Sequence, residues 1–376
     1  MNIINYGKQT IFKDDISVVE EVLKSDFLTT GPKVKEFESA LCKYTGAKYC
    51  VAVSNGTAAL HLSSMVLLNK NDKVLTTPNS FLATSNSILY VDAKPVFIDI
   101  KEDGNIDLDL CEKRLKEDSS IKAIYAVHFS GNSVNQKKLE YLKKTYNIKI
   151  LEDCAHSLGA SLDNIKAGSC KNSDISIFSF HPVKNITTGE GGAITTNSKE
   201  IYEKLLSLRN HGMIKTDSMK PWEYEMRDLG LNYRLTDIQC ALGISQLKKL
   251  DGFLEKRWAI AKKYDENFEA LENIKPLYPF TKESAYHLYV IRIDFKNFSI
   301  SKEELFNKLM DKNIKVQLHY MPINKQVFYK NLGYGEEFTP LMDRYYEEVL
   351  SLPIFPSLSE EEQNYVIQSL KGLLYA

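Results

Sequence analysis

Three short segments carry residue types suited to chemistry rather than packing. The first is Ser54-Asn55-Gly56-Thr57-Ala58-Ala59, between an apolar run over 49–53 and a helical pattern. The N–H groups that open a helix have no partner within it and form an anion site. A glycine there lets a phosphate approach the backbone closely. A plain N-cap by Ser or Asn explains the same residues. The second segment is Leu151-Glu152-Asp153-Cys154-Ala155-His156, at the end of an apolar run. A carboxylate beside an imidazole suits a charge partner or a general base; an Asp that caps the next element is the plain alternative. The third, Ser179-Phe180-His181-Pro182-Val183-Lys184, leads into Thr187-Thr188-Gly189-Glu190-Gly191-Gly192 and isolates one lysine. A lysine that loses its proton easily forms a Schiff base with an aldehyde or ketone. An ordinary loop lysine competes with that reading. The G-x-G-G pattern does not open a helix after a strand with dinucleotide spacing, so it is no nucleotide fingerprint.

These segments act together only if a framework carries them to one edge. Apolar runs at 74–77, 95–100, 121–127 and 148–152 alternate with helical patterns at 57–68, 82–91, 108–117 and 135–145. Two further helices are expected over 14–26, which opens with acidic residues, and over 32–44, with Pro32 just inside its start. Strand, helix, strand in this rhythm implies crossovers and a mostly parallel sheet. Ligands collect at the carboxyl ends of such strands, where the three segments fall. After about residue 198 the pattern becomes more helical. Residues 235–264 form a long amphipathic stretch, expected to break near Asp251-Gly252. Runs over 286–294 and 314–319 read as strands, with a helix over 301–312 between them. The expected organisation is a large α/β domain over residues 1–248, including the N-terminal segment, and a small α+β domain over 249–376.

Composition narrows the ligand classes. The 376 residues carry 48 Lys+Arg against 49 Asp+Glu, a formal charge of −1. A protein that tracks nucleic-acid phosphates shows a basic excess instead. No run approaches the ~18 apolar residues of a membrane span, and the first ten residues lack a secretory pattern. Cys42, Cys50, Cys111, Cys154, Cys170 and Cys240 form no C-x-x-C pair and match no zinc spacing, so no metal site is expected. Free thiols suit a cytoplasmic protein.

The phosphate cradle, the acid and the isolated lysine together suit pyridoxal 5′-phosphate (PLP). The lysine would hold the aldehyde, the acid the ring nitrogen, and the loop the phosphate. At these residues the sequence resembles the DegT/DnrJ/EryC1/StrS family of sugar-nucleotide aminotransferases. Further likeness lies in Leu28-Thr29-Thr30-Gly31-Pro32, Pro78-Asn79-Ser80-Phe81, Arg209-Asn210-His211-Gly212, Gly230-Leu231-Asn232-Tyr233-Arg234 and His319-Tyr320-Met321-Pro322. The resemblance implies an aspartate-aminotransferase-like fold, PLP fold type I. It implies that Lys184 is the Schiff-base lysine and base, and that Asp153 partners the pyridine nitrogen. His156 falls near the phenolic oxygen and Phe81 stacks on the ring. Gly56, Thr57, Ala58 and Ser179 receive the phosphate, aided by Asn232 from a second subunit, so that two copies share the site in a homodimer. Some relatives carry His in place of the lysine and act as dehydratases; Lys184 here favours aminotransferase chemistry.

Within the family, Asp103-Gly104-Asn105-Ile106-Asp107, Ser130-Gly131-Asn132-Ser133-Val134 and Gln317-Leu318-His319-Tyr320 are most like members of pseudaminic acid biosynthesis. Those members aminate C4 of a UDP-linked 4-keto-6-deoxy-N-acetyl hexose, with L-glutamate as donor. Amination of another keto sugar nucleotide, dTDP- or GDP-linked at C3 or C4, stays open, as does a PLP-binding regulator without turnover. Thr29, Thr30, His181, Arg234, His319 and Tyr320 are candidate substrate contacts, and His211 and His287 are further candidates around the sugar or diphosphate. Arg234 could instead brace Asp237.

Overall fold

The computed structural model describes residues 2–375. Its first part runs α1 (Lys13–Leu23), α2 (Pro32–Thr45), β1 (Tyr49–Val53), α3 (Gly56–Leu67), β2 (Lys73–Thr76), α4 (Leu82–Leu89), β3 (Lys94–Phe97), α5 (Leu108–Glu117), β4 (Ile121–Val127), α6 (Gln136–Tyr146) and β5 (Lys149–Asp153). A small hairpin of β6 (Ser161–Leu162) and β7 (Ile165–Lys166) follows, then β8 (Ile175–Ser179), β9 (Gly192–Thr196) and α7 (Lys199–Arg209). The expected helices and strands of this region are present, with ends shifted by at most three residues. Pro32 sits in the first turn of α2, and Gly46 closes that helix at φ 86°, the left-handed conformation that glycine adopts without strain.

Seven strands form one sheet in the order β1-β9-β8-β5-β4-β2-β3. The pairs β8–β5, β5–β4, β4–β2 and β2–β3 are parallel, while β9 runs antiparallel to both its neighbours. Strand β4 reads Ile-Lys-Ala-Ile-Tyr-Ala-Val and is buried at every position but Lys122. A strand covered by helices on both faces needs such a continuous apolar run. One face packs against α3, α4 and α7, and the other against α2, α5, α6 and the helix over Asp237–Leu247. Because β1, β5 and β8 share a direction, their carboxyl ends bring Asn55-Gly56, Asp153 and Ser179 to one edge.

Beyond α7, the hairpin β10 (Met213–Ile214) and β11 (Glu225–Met226) precedes α8 (Asp237–Leu247) and α9 (Leu250–Phe268). The helical stretch therefore breaks at Lys248-Lys249, not at Asp251-Gly252. Leu247 and Leu250 are both buried across the joint, and Lys249 turns its ammonium onto Asp14 and Asp15 at 2.5 and 2.8 Å. Gly252 faces open space within the first turn of α9 and is not needed for the bend.

The antiparallel sheet β12 (Ile274–Pro276), β13 (Tyr289–Ile293), β14 (Val349–Leu352) packs with α9, α10 (Lys302–Asp311) and the last helix around a separate core. Helices α11 (Val327–Asn331), α12 (Pro340–Glu348) and α13 (Glu360–Leu374) complete the chain. The N-terminal segment joins this core, since Ile4 is buried there and bridges Ile314. The strand expected over 314–319 is reduced to two isolated bridges, Ile4–Ile314 and Gln317–Ser351. From there the chain leaves the sheet and lays His319 and Tyr320 along the cavity described below.

Candidate active site

The carboxyl edge of the large sheet opens into a cavity of about 790 Å³. Its lining includes Gly56, Thr57 and Ala58, together with Asp153, His156, Ser179 and Lys184. Helix α3 starts at Gly56 because Asn55 caps it: the Asn55 Oδ1 accepts from the Ala58 N–H at 2.8 Å. That bond ties the Ala58 N–H to the cap of its own helix. The Gly56 and Thr57 N–H groups, among the described residues, keep no such partner and open toward the lining. Ser179 abuts them closely: a Cβ on Gly56 would lie 2.9 Å from the Ser179 Cβ. The turn, the serine and the positive end of α3 make an anion cradle.

Asp153 ends β5 and is buried. Thr84, one turn into α4, donates its hydroxyl to Oδ2 at 2.7 Å, and the Ala155 N–H donates to Oδ1 at 3.1 Å. Burial pushes the Asp153 carboxyl above its ordinary value, against the pull of these donors and of Lys184. A positive group on the cavity side would therefore be well received. Glu152, its chain neighbour, points to the opposite face of the strand. There it takes hydrogen bonds from His128, Gln136, Ser173 and Ser176.

Lys184 follows β8 on a loop, part-buried, and its ammonium has no ion pair among the described residues. Burial lowers its pKa to about 8, and the Asp153 charge only partly restores it. An amine that loses its proton near neutral pH, in a cavity, can attack an aldehyde. Among the described residues its hydrogen-bond partner is Nε2 of His287, at 3.4 Å. His156 is buried, receives the Ser130 N–H at 3.3 Å and meets the Tyr320 hydroxyl at 3.2 Å. Burial, with Lys184 and His319 nearby, holds the His156 imidazole far below its ordinary pKa. His319 is likewise driven down, to about 3, by burial and then by Lys184.

The expected site residues divide into two groups. Gly56, Thr57, Ala58, Phe81, Asp153, His156, Ser179, His181, Lys184, His319 and Tyr320 line one cavity. Thr29, Thr30, Asn232 and Arg234 do not line it. Thr29 and Thr30 are exposed, and Thr29 bridges Thr236. Arg234 donates to the Asn210 side chain at 2.5 Å and does not brace Asp237, whose carboxylate takes the Gly31 and Lys33 N–H groups. Asn232 is exposed beside Asn210. His211 lies on the surface, whereas His287 is buried against Lys184. Thr84 was missed; its signal was a hydroxyl three residues past Phe81, on the same face of a helix that opens at a strand end.

The donor set fits PLP. An N–H cradle matches a phosphate, a buried carboxylate matches a protonated ring nitrogen, and a lysine with lowered pKa matches an aldehyde. Residues 9–371 match the DegT/DnrJ/EryC1/StrS aminotransferase family. The chain belongs to that family. It is a PLP-dependent aminotransferase. Among family relatives, the UDP-4-amino-4,6-dideoxy-N-acetyl-beta-L-altrosamine transaminase of Campylobacter jejuni is 44% identical over 99% of this chain and 97% of its own. Helicobacter pylori PseC, an aminotransferase involved in the biosynthesis of pseudoaminic acid, superposes with a TM-score of 0.93 at 35% identity, covering 100% of both chains. Spr1654 of Streptococcus pneumoniae, solved in a PLP-form, superposes at 0.89 with 30% identity, covering 99% of this chain and 98% of its own.

Proposed function

We propose that this aminotransferase moves the amino group of L-glutamate to C4 of a UDP-linked 4-keto-6-deoxy-N-acetyl hexose, in the pseudaminic acid pathway. The observation that carries this reading is the 44% identity, end to end, with the altrosamine transaminase of C. jejuni. The cavity supports it: about 790 Å³ leaves room for a sugar beside the cofactor. When bound, PLP supplies an aldehyde that carries an amino group from donor to acceptor and a ring that takes up an electron pair. The chain's own residues do the rest. Lys184 holds the aldehyde and, once free, takes and returns a proton at Nζ. Asp153, fixed by Thr84 and Ala155, holds the proton of the ring nitrogen. Gly56, Thr57, Ala58 and Ser179 would bind the phosphate, Phe81 would cover the ring, and His156 would face the phenolic oxygen. His181, His319 and Tyr320, which line the same cavity, contact the sugar.

The second copy belongs to the same reading. Asn232 is exposed and outside the cavity of its own chain, so in a homodimer it serves the partner's phosphate site. Thr29, Thr30 and Arg234 are substrate contacts by the same route. The six unpaired cysteines suit a cytoplasmic enzyme. A panel of UDP-, dTDP- and GDP-linked 3-keto and 4-keto sugars, scored by 2-oxoglutarate released from glutamate, tests the substrate. The UDP-linked 4-keto N-acetyl sugar should exceed the others by at least ~10²-fold in kcat/KM, the discrimination that matched polar contacts provide. Equal turnover of a dTDP-linked sugar would overturn it.

A further inference from the structure

Behind Lys184 lies a buried basic cluster that the cofactor roles do not use. His287 is 4% exposed, and its Nε2 stands 3.4 Å from the Lys184 amine. Its other nitrogen, Nδ1, is buried with no partner among the described residues. Among the described residues the ring's one hydrogen bond is to a reactive atom, and an Nε2 that accepts it places the ring proton on Nδ1. The ring also packs on His156, with centroids 4.4 Å apart. On its far side sits Arg257, 1% exposed. Arg257 Nη1 donates to the carbonyls of Tyr286, His287 and Ile354 at 3.0, 3.4 and 3.0 Å. Arg257 forms no ion pair among the described residues. A buried guanidinium without a carboxylate is expensive, and three backbone carbonyls hold it in place.

Charge follows from this arrangement. The groups facing His287 are Lys184, His156, Arg257 and His319. None is a carboxylate, and Asp153 is the acid across the cavity. Burial first, then the positive charge of Lys184 with that of Arg257 behind it, disfavours the charged form of the His287 ring. A neutral ring with Nε2 toward an ammonium is an acceptor, whereas an imidazolium would repel it. We propose that His287 is a further catalytic residue, whose Nε2 accepts a hydrogen bond from the Lys184 amine and aims its reactive orbital into the cavity, and that Arg257 is the positioning residue behind it. The Nζ–H stays on Lys184 and no bond is exchanged. His287 acts by orientation and by stabilising the ammonium formed when Lys184 takes a proton.

The substitutions His287→Gln and His287→Asn separate this role from packing. The Gln side chain reaches the position of Nε2, and the shorter Asn does not. The readout is the pH dependence of the rate at which cofactor-free protein takes up PLP, followed by absorbance, which reports the free Lys184 amine and is independent of the substrate reading. Losing the acceptor should lower the Lys184 titration midpoint in H287N, while H287Q should stay close to the parent. The rate of the glutamate-driven spectral change should fall ~10²-fold in H287N, within the range of general acid–base contributions, with the half-saturating glutamate concentration little changed. H287Q should recover most of that rate. Parent-like rates in both variants would overturn the proposal. So would equal impairment of both with an unshifted midpoint, because that pattern means His287 only fills space.

Discussion

Lys184 and Asp153 line the same cavity from the ends of neighbouring parallel strands, and they form no ion pair. Each senses the other: Asp153 partly restores the basicity that burial takes from Lys184, and Lys184 pulls the raised Asp153 carboxyl back down. A direct salt bridge would hold both groups in their charged forms. The gap between them instead leaves an amine that sheds its proton near pH 8 and an acid seeking a positive partner.

The first consequence concerns stability of the cofactor-free protein. The folded pKa of Lys184 lies at about 8, below the ordinary lysine value. Between pH 8 and the lysine range the unfolded chain binds the extra proton, so stability rises with pH across that window. Below pH 8 the stabilisation is lost. The difference amounts to at most ~3 kcal/mol. Urea unfolding of parent and Lys184→Met at pH 7 and pH 10 checks it. The parent should gain stability relative to the variant at pH 10, and the variant should have no turnover at either pH.

Asp153 depends on Thr84, whose hydroxyl reaches it at 2.7 Å. Asp153→Asn should reduce kcat by ~10²-fold or more, as expected when a charge that acts in the transition state is lost. Thr84→Val keeps the shape and removes the donor, which costs about 1–3 kcal/mol of local interaction. Its kcat should fall by roughly tenfold, with the pH profile moved toward higher pH because Asp153 then ionises less readily. Steady-state kinetics across pH 6–9 read both.

Gly192 opens β9 against the phosphate turn. A Cβ there would stand 2.5 Å from the Asn55 carbonyl oxygen and 2.9 Å from the Gly56 nitrogen. Backbone cannot yield as a flexible side chain does, so Gly192→Ala should cost ~1–3 kcal/mol. The strain falls on the cradle, and PLP affinity should drop about tenfold for each ~1.4 kcal/mol that reaches it. Fluorescence titration of cofactor-free protein with PLP measures this.

Glu152 is buried on the face of β5 opposite Asp153. Burial alone would raise its pKa, but the bond and charge of His128, with Ser173 and Gln136, hold it at about 2. Its contribution is complete above the ordinary glutamic-acid range and is lost as pH falls toward 2. Glu152→Leu leaves these donors unpaired and should destabilise the fold by ~3–5 kcal/mol. Thermal unfolding at pH 7 should show the loss, and acid titration should show less of it at pH 3.

Local pattern made the framework legible, because β4 and its neighbours are apolar at nearly every position and the helices carry clear periodicity. It also exposed Lys184, Asp153 and the Gly56 turn, since each departs from packing logic at a strand end. Two features escaped besides Thr84. The break at Lys248-Lys249 depends on a charge contact with Asp14 and Asp15, more than 230 residues away in sequence. The position of His287 beside Lys184 arises from packing of the C-terminal core against the sheet edge, and no local spacing encodes it.

The most direct test of the central claim is NMR of the product formed from purified protein, PLP, L-glutamate and the UDP-linked 4-keto-6-deoxy-N-acetyl hexose. The expected product is a UDP-linked 4-amino-4,6-dideoxy-N-acetyl sugar, formed with one 2-oxoglutarate per amine and absent with Lys184→Ala. An unchanged keto sugar in the presence of fully loaded enzyme, or a dehydrated product without an amine, would contradict it.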